Sequence, residues 1–392
     1  MVTKRKYPVG IQSFEKLRKE GYLYIDKTAI IYQMITQGCP YFLSRPRRFG
    51  KSLLISTLQA VFEGRRDLFE AFTTEQGIEQ PQLFIAQTDW KWEKHPVLRF
   101  DFSSLGYTTV EKLDLLIDKI LCDYEKKYDI RSDFPYPFMR LEKIVSTAHK
   151  QTGKRVVVLV DSYDYALNDS LDDEYQYNEI LLRLRSLFSP LKSLCEHLQF
   201  WLITGISQFS LPYDGTLNQY NDISMNKDYE SLCGFTEEEL ESTLRPDIES
   251  FALKRDQTYN DALADLKEKY GSYHFSHQLT DIYNPWSILN AFEDGQLRDF
   301  WVESACSYDL KALLGKISVK VLSEVDGVLS SDTWFNKPLD YNYMSNHLSL
   351  LYQTGYLTVK ECNFKDGFYK LGYPNTEVRC CMDNCIEALK VK

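Results

Sequence analysis

The sequence predicts an α/β protein built on a parallel sheet with helices on both faces. Residues 40–210 alternate short apolar runs with amphipathic stretches. The runs carry β-branched and aromatic residues without polar alternation, as strands buried on both faces do. Strands alternating with helices are the pattern of the α/β class.

Tyr41-Phe42-Leu43-Ser44 is the first strand, followed by a helical pattern from Lys51 to about Glu63. Val97–Phe102 is the second, followed by a helix from about Thr109 to Lys126. Arg155–Val160 is the third and Phe200–Thr204 the fourth. After Thr204 the pattern turns helical, and Thr236 with Glu239 forms a capping box that opens residues 236–275. Near the end, a helix through Leu348 leads into strands at Leu357–Lys360 and Phe368–Leu371, with Asp366-Gly367 in the turn between them. Helix followed by hairpin predicts a winged-helix-like α+β unit. The expected organisation is a P-loop domain over residues 1–235, a helical lid over 236–282, a winged-helix-like domain over 283–379 and a residual tail over 380–392.

The chain has 392 residues, room for two to three domains. Its 44% apolar and 26% charged content is that of a globular protein. No apolar run approaches the roughly 20 residues that span a bilayer, and the basic start Met1–Lys6 is followed by no apolar signal region. A cytoplasmic protein with no membrane partner is expected. The net charge of −10 argues against a surface coated for nucleic acid. The nine scattered cysteines are expected to stay reduced.

Ser44–Ser52 lies between the first strand and its helix. A P-loop reads G-x-x-x-x-G-K-[ST]. Gly50, Lys51 and Ser52 match, and Arg45 stands at the first glycine's place. Gly50 lets backbone approach phosphates, and the amides of Phe49 to Leu53 open the helix toward negative charge. Lys51 would reach the phosphates and Ser52 would hold Mg²⁺. Arg45, Arg47 and Arg48 would add charge nearby, or form a solvated basic loop. Downstream, the apolar strand ending at Asp161 has the Walker B arrangement, in which the carboxylate contacts Mg²⁺. The pair implies a site for ATP with Mg²⁺.

These strings carry a family resemblance. Tyr7–Ile11, Phe14–Arg18, Tyr24–Thr28, Arg45–Ser52 and Cys233–Thr236 resemble the bacterial AAA-ATPase-like proteins, as do Tyr283–Ser287 and Phe300–Val302. Many of those proteins carry a C-terminal PD-(D/E)xK nuclease-like domain. The resemblance implies that the first glycine is dispensable. It also implies that the Walker B strand should end Asp-Glu-Tyr-Asp, where this chain has Asp161-Ser162-Tyr163-Asp164. Serine is no base near neutral pH without an activating partner. Weak or absent hydrolysis is therefore expected, with Asp164 the alternative base. Cys380–Lys392 has no room for a nuclease fold, so no nuclease activity is expected.

Thr204 ends the fourth strand, where a sensor residue would touch the γ-phosphate or the attacking water. Gln208 stands where the family commonly has a basic residue. Arg183 and Arg185 are arginine-finger candidates, with surface salt bridges the stronger expectation. Asp26 and Lys27 are candidates for the adenine or ribose side. Cys380, Cys381 and Cys385 lack the second pair of a zinc site, and the six histidines show no catalytic pattern. The stretch Asn342–Gln353 has no Lys or Arg, so a DNA partner is weakly supported and a protein partner is favoured. The overall expectation is a nucleotide-dependent switch. Alternatives are a competent ATPase or an interaction scaffold with a vestigial P-loop. The oligomeric state is left open.

Overall fold

The computed structural model describes residues 5–390 apart from 39, 104–108, 132–133, 172, 210–219, 306–313, 315–316, 332–334, 336–337, 340–346 and 364–366. Residues 342–346 of the candidate recognition stretch and 364–366 of the hairpin tip lie outside the described residues.

The central sheet holds β1 (Pro40–Ser44), β2 (Val97–Asp101), β3 (Val156–Asp161), β4 (Leu198–Gly205) and β5 (Asn221–Asp222), ordered β2-β3-β4-β1-β5 and parallel throughout. All six residues of β3 are buried, as a central strand covered on both faces requires. Four predicted strands lie within a residue or two of their expected bounds. β5, only two residues long, gave no periodic signal. Helices α1 (Phe14–Lys19) and α2 (Thr28–Gln37) precede the sheet, and α3 (Lys51–Phe62) follows β1. The crossovers also carry α4 (Val110–Lys127), α5 (Pro137–Thr152) and α6 (Glu174–Phe188). A parallel register puts the C-terminal ends of β1 to β4 along one rim, where Asp101 is paired with Asp161 and Leu43 with Thr204.

Residues 235–300 pack a second core. Helix α7 (Glu237–Ser242) opens with the predicted capping box: Glu239 N–H donates to Thr236, and the Glu239 carboxylate accepts from Thr236 N–H. With α8 (Arg245–Lys254), α9 (Tyr259–Tyr270) and α10 (Pro285–Asp294) it buries Leu240, Phe251, Leu266 and Phe292. This core runs on to Phe300, past the boundary at 282 that the sequence suggested.

The C-terminal stretch contains α11 (Phe300–Ala305), α12 (Val319–Ser323), β6 (Leu329–Ser331), α13 (His347–Thr354), β7 (Thr358–Asn363), β8 (Phe368–Gly372) and α14 (Thr376–Lys390). The strands form an antiparallel sheet ordered β6-β8-β7. The expected tail at 380–392 is corrected: Cys380 to Lys390 belong to α14, which buries Val378, Cys381, Met382 and Ile386. Cys381, Met382 and Ile386, at helical spacing, have a core to join, so the segment packs. Among the described residues, no helix is long and apolar enough to cross a membrane.

Candidate functional site

The loop from Arg45 to Gly50 links β1 to α3. It needs two left-handed residues, Arg48 with φ 69° and Gly50 with φ 97°. Glycine adopts that conformation without strain, and a Cβ on Gly50 would meet nothing within 4 Å, so its backbone faces open space. Twelve residues of helix begin at Lys51, so unpaired amides and the positive end of the helix dipole point the same way.

Lys51 is buried. Its ammonium donates to the carbonyls of Arg45 (2.7 Å) and Pro46 (2.9 Å). Burial pulls its pKa from 10.5 down to about 8, opposed by the nearby Asp164 and Asp161. Phosphate oxygens would be stronger acceptors for this charge than two carbonyls.

Asp161 is wholly buried. Ser52 hydrogen-bonds its carboxylate, and Thr204 donates to Oδ1 at 3.4 Å. Burial, then the neighbouring Asp101, raises its pKa. Oδ2 is buried without a hydrogen bond; its neighbour is the Arg99 guanidinium, 3.5 Å away. An orphaned carboxylate oxygen beside a serine hydroxyl fits Mg²⁺, a hard cation that takes few protein ligands and keeps waters and substrate phosphates. No group of three His, Cys, Asp or Glu suited to a metal occurs among the described residues.

A cleft of about 370 Å³ opens over this loop. Arg47, Arg48, Gly50, Lys51, Ser52 and Leu53 line it, with Ser162, Trp286 and the N-terminal segment Pro8–Gln12 opposite. Its volume is in the range of small-molecule sites. The Arg48 guanidinium lies 4.2 Å from the centre of the Trp286 ring, where burial and Arg47 both lower its pKa. Two crowded cations facing a cleft favour an anion there. An apolar pocket of about 80 Å³ adjoins, sharing Pro8, Gly50, Leu53 and Leu289 and adding Ile25, Lys27 and Phe49.

Several sequence candidates stand elsewhere. Arg45 is not a phosphate ligand by geometry. Its guanidinium is buried, donates to the carbonyls of Ser44, Ser224 and Tyr229, and lies 4.3 Å from the Phe275 ring centre. Phe49 is an anchor, packed edge-on against Tyr273 and Phe275. Asp164 does not line the cleft. Its Oδ2 accepts from the amides of Ile206 and Ser207 and from Asn168, tying β3 to the loop after β4. Its Oδ1 is buried without a hydrogen bond, and burial raises its pKa. Thr204 reaches Val160 O and Asp161, so it steadies the carboxylate.

Asp26 accepts from Thr28 N–H at the start of α2 and from Phe84 N–H, and is not among the residues of the pocket that Lys27 lines. Lys27 is paired with Glu239 of α7 at 2.6 Å. Arg183 pairs with Asp114 and Glu179 on the surface, as expected. His149 and His197 meet through Nδ1 at 2.8 Å, at the opposite end of β4 from Thr204.

Sequence reasoning passed over Arg99 and Asp101. Arg99 bridges Asp101 (3.2 Å) and Asp161. Their signal was their place at the C-terminal end of a strand next to Walker B.

A strand–loop–helix with a buried lysine, a serine and a carboxylate on the next strand but one defines a P-loop nucleotide-binding protein of the ATPase class. The family model described as "Predicted AAA-ATPase" matches residues 8–212. An uncharacterized protein encoded in the vnfD 5′ region of Azotobacter chroococcum mcd 1 is 31% identical over 390 residues, covering 98% of this chain and 70% of that one. The chain belongs to this AAA-ATPase-like family. Among solved structures, the Aeropyrum pernix ORC1 protein in complex with DNA aligns over 93% of each chain at 10% identity and a TM-score of 0.30. A superposition that loose says nothing specific about fold or ligand.

Proposed function

We propose that this chain binds ATP with Mg²⁺ in the cleft, hydrolyses it slowly or not at all, and works as a nucleotide-dependent switch. One observation carries the reading. Lys51 and Ser52 line one cleft whose other walls come from the N-terminal segment and α10, and Ser52 hydrogen-bonds the buried carboxylate of Asp161, remote in sequence.

Lys51, Arg47, Arg48 and the first amides of α3 would hold the phosphates. Leu53 and Phe49 line the apolar pocket and suit a nucleobase. Ser52 and Asp161 would hold Mg²⁺, with Thr204 keeping the carboxylate in place. Bound Mg²⁺ supplies charge neutralisation at the phosphates. Ser162 lines the cleft where the family resemblance expects glutamate, and its hydroxyl donates to Asp161 Oδ1 at 3.3 Å, a carboxylate that in this reading is taken up by Mg²⁺. That supports slow turnover.

The switch reading rests on the connections between site and lid. Lys27 pairs with Glu239, and Arg5 and Tyr7 both donate to Asp247 of α8. A ligand that moves the N-terminal segment would therefore move residues 236–282. The order β6-β8-β7, with α13 before β7, supports a winged-helix-like unit within 283–379. Helix α13 buries Ser349 to Gln353 and carries no Lys or Arg, which favours packing or a protein partner over DNA.

The test is calorimetry with Mg-ATP on the chain and on Lys51→Ala, with phosphate release followed in parallel. Binding lost in the variant, with little release by the wild type, is the expected result. Rapid turnover would overturn slow hydrolysis, and no binding to either chain would overturn the whole reading.

A further inference from the structure

The phosphate loop touches more than its own neighbours in sequence. The Trp301 indole N–H donates to the Arg47 carbonyl at 3.1 Å, across 254 residues. Trp301 is almost fully buried and packs against Tyr356, ring centres 5.3 Å apart. Beside it, a Cβ on Gly355 would lie 2.7 Å from Pro46 Cβ, so the chain passes directly against the loop. On the cleft side, the Trp286 ring covers the Arg48 guanidinium at 4.2 Å. The loop is thus gripped at three consecutive residues by side chains and backbone from α10, α11 and the turn after α13.

Both tryptophans have one anchor. Glu377 of α14 is buried; Oε1 accepts from Trp301 N–H at 2.7 Å, and Oε2 accepts from the Ser287 hydroxyl at 3.1 Å. Ser287 is the residue after Trp286. Trp286 also donates its own indole N–H to Phe300 O at 3.1 Å. One carboxylate therefore orients the start of α11 and the start of α10 together.

We propose that Trp286 and Trp301, held by Glu377, are positioning residues that fix the phosphate loop for the phosphates of a nucleotide; this rests on the nucleotide reading above. The physical case is preorganisation. A P-loop binds through amides whose directions are set by its peptide planes. A donor on the Arg47 carbonyl fixes the plane that also carries the Arg48 amide. Holding it before the ligand arrives removes an ordering cost from binding. Trp286, Trp301 and Glu377 then belong to the phosphate site, and a partner that moved them would be felt as a change of nucleotide affinity.

The test uses the full chain. Trp301→Phe keeps the ring and deletes the donor; Ser287→Ala removes one hydroxyl from the anchor. Trp201→Phe, in β4 and away from the loop, controls for loss of a buried indole. Each is measured for Mg-ATP affinity, for thermal midpoint without nucleotide, and for amide exchange over residues 47–51. Trp301→Phe should bind Mg-ATP roughly tenfold more weakly, the worth of one buried hydrogen bond. Exchange over 47–51 should quicken, while Trp201→Phe alters the midpoint alone. Ser287→Ala should shift affinity the same way by a smaller factor. Unchanged affinity in Trp301→Phe and Ser287→Ala, with binding abolished in Lys51→Ala, would overturn the clamp and leave the nucleotide reading standing. If the wild type does not bind, that reading falls. Exchange then decides the clamp alone: faster in Trp301→Phe supports it, unchanged overturns it.

Discussion

Replacing Lys51 with methionine removes the ammonium and keeps an unbranched side chain of similar length. Burial holds the Lys51 pKa at about 8, against an ordinary 10.5. That gap corresponds to about 3 kcal/mol of destabilisation while the group stays charged in the fold. The sign follows from proton counting. Below about pH 8 both folded and unfolded chains carry the proton, and the fold bears the full cost. Between 8 and 10.5 the unfolded chain holds a proton that the folded chain has released, so stability rises with pH. Above 10.5 the cost is gone. Methionine has no such dependence. It also leaves the Arg45 and Pro46 carbonyls short of a donor, which offsets part of the gain at neutral pH. Urea unfolding of both chains between pH 7 and 10.5 should show the wild type gaining up to about 3 kcal/mol on Lys51→Met. Mg-ATP binding near pH 8.5 should take up a proton in the wild type, read from the dependence of the calorimetric heat on the buffer. Parallel stability curves for the two chains would refute the argument, because they would mean that the ammonium is not desolvated.

Ser162→Glu should raise phosphate release about a hundredfold, the usual worth of a positioned base, measured as steady-state turnover. Ser162 has φ 56°, so the longer residue enters a strained position and some thermal stability should be lost with it. Arg45→Ala should cost about 3 kcal/mol or more in a denaturation experiment, because three carbonyls lose a charged donor. Burial raises the Glu377 pKa from 4.5 to about 7, with Asp299, Tyr270 and Tyr273 the titratable groups facing it. The folded chain then holds a proton between those values that the unfolded chain has released. Stability should fall by up to about 3 kcal/mol as pH rises through that window, and Glu377→Gln should lack this component when thermal midpoints are compared at pH 5.5 and 7.5.

Much of this molecule is written locally. Gly50-Lys51-Ser52 after an apolar strand, and Val156–Asp161 as an apolar run ending in a carboxylate, are enough to place the phosphate loop and the carboxylate at the ends of strands of one parallel sheet. The capping box at Thr236 and Glu239 was equally legible, because every atom it needs lies within four residues. Such features depend on backbone geometry and side chains a few positions apart, which the order of residues determines by itself. Tertiary structure decided which side chains face the cleft. Arg45 sits in the motif yet turns to Ser224 and Tyr229, since a buried guanidinium goes where carbonyls are free to accept. Asp164 follows the Walker B strand, yet its Oδ2 turns to amides of the loop after the neighbouring strand. The grip of Trp301 on Arg47 joins positions 254 residues apart, and that of Glu377 on the two tryptophan segments joins positions 76 and 90 apart. No periodicity encodes such contacts; they exist only once the helices have packed and the remaining buried donors and acceptors must find one another.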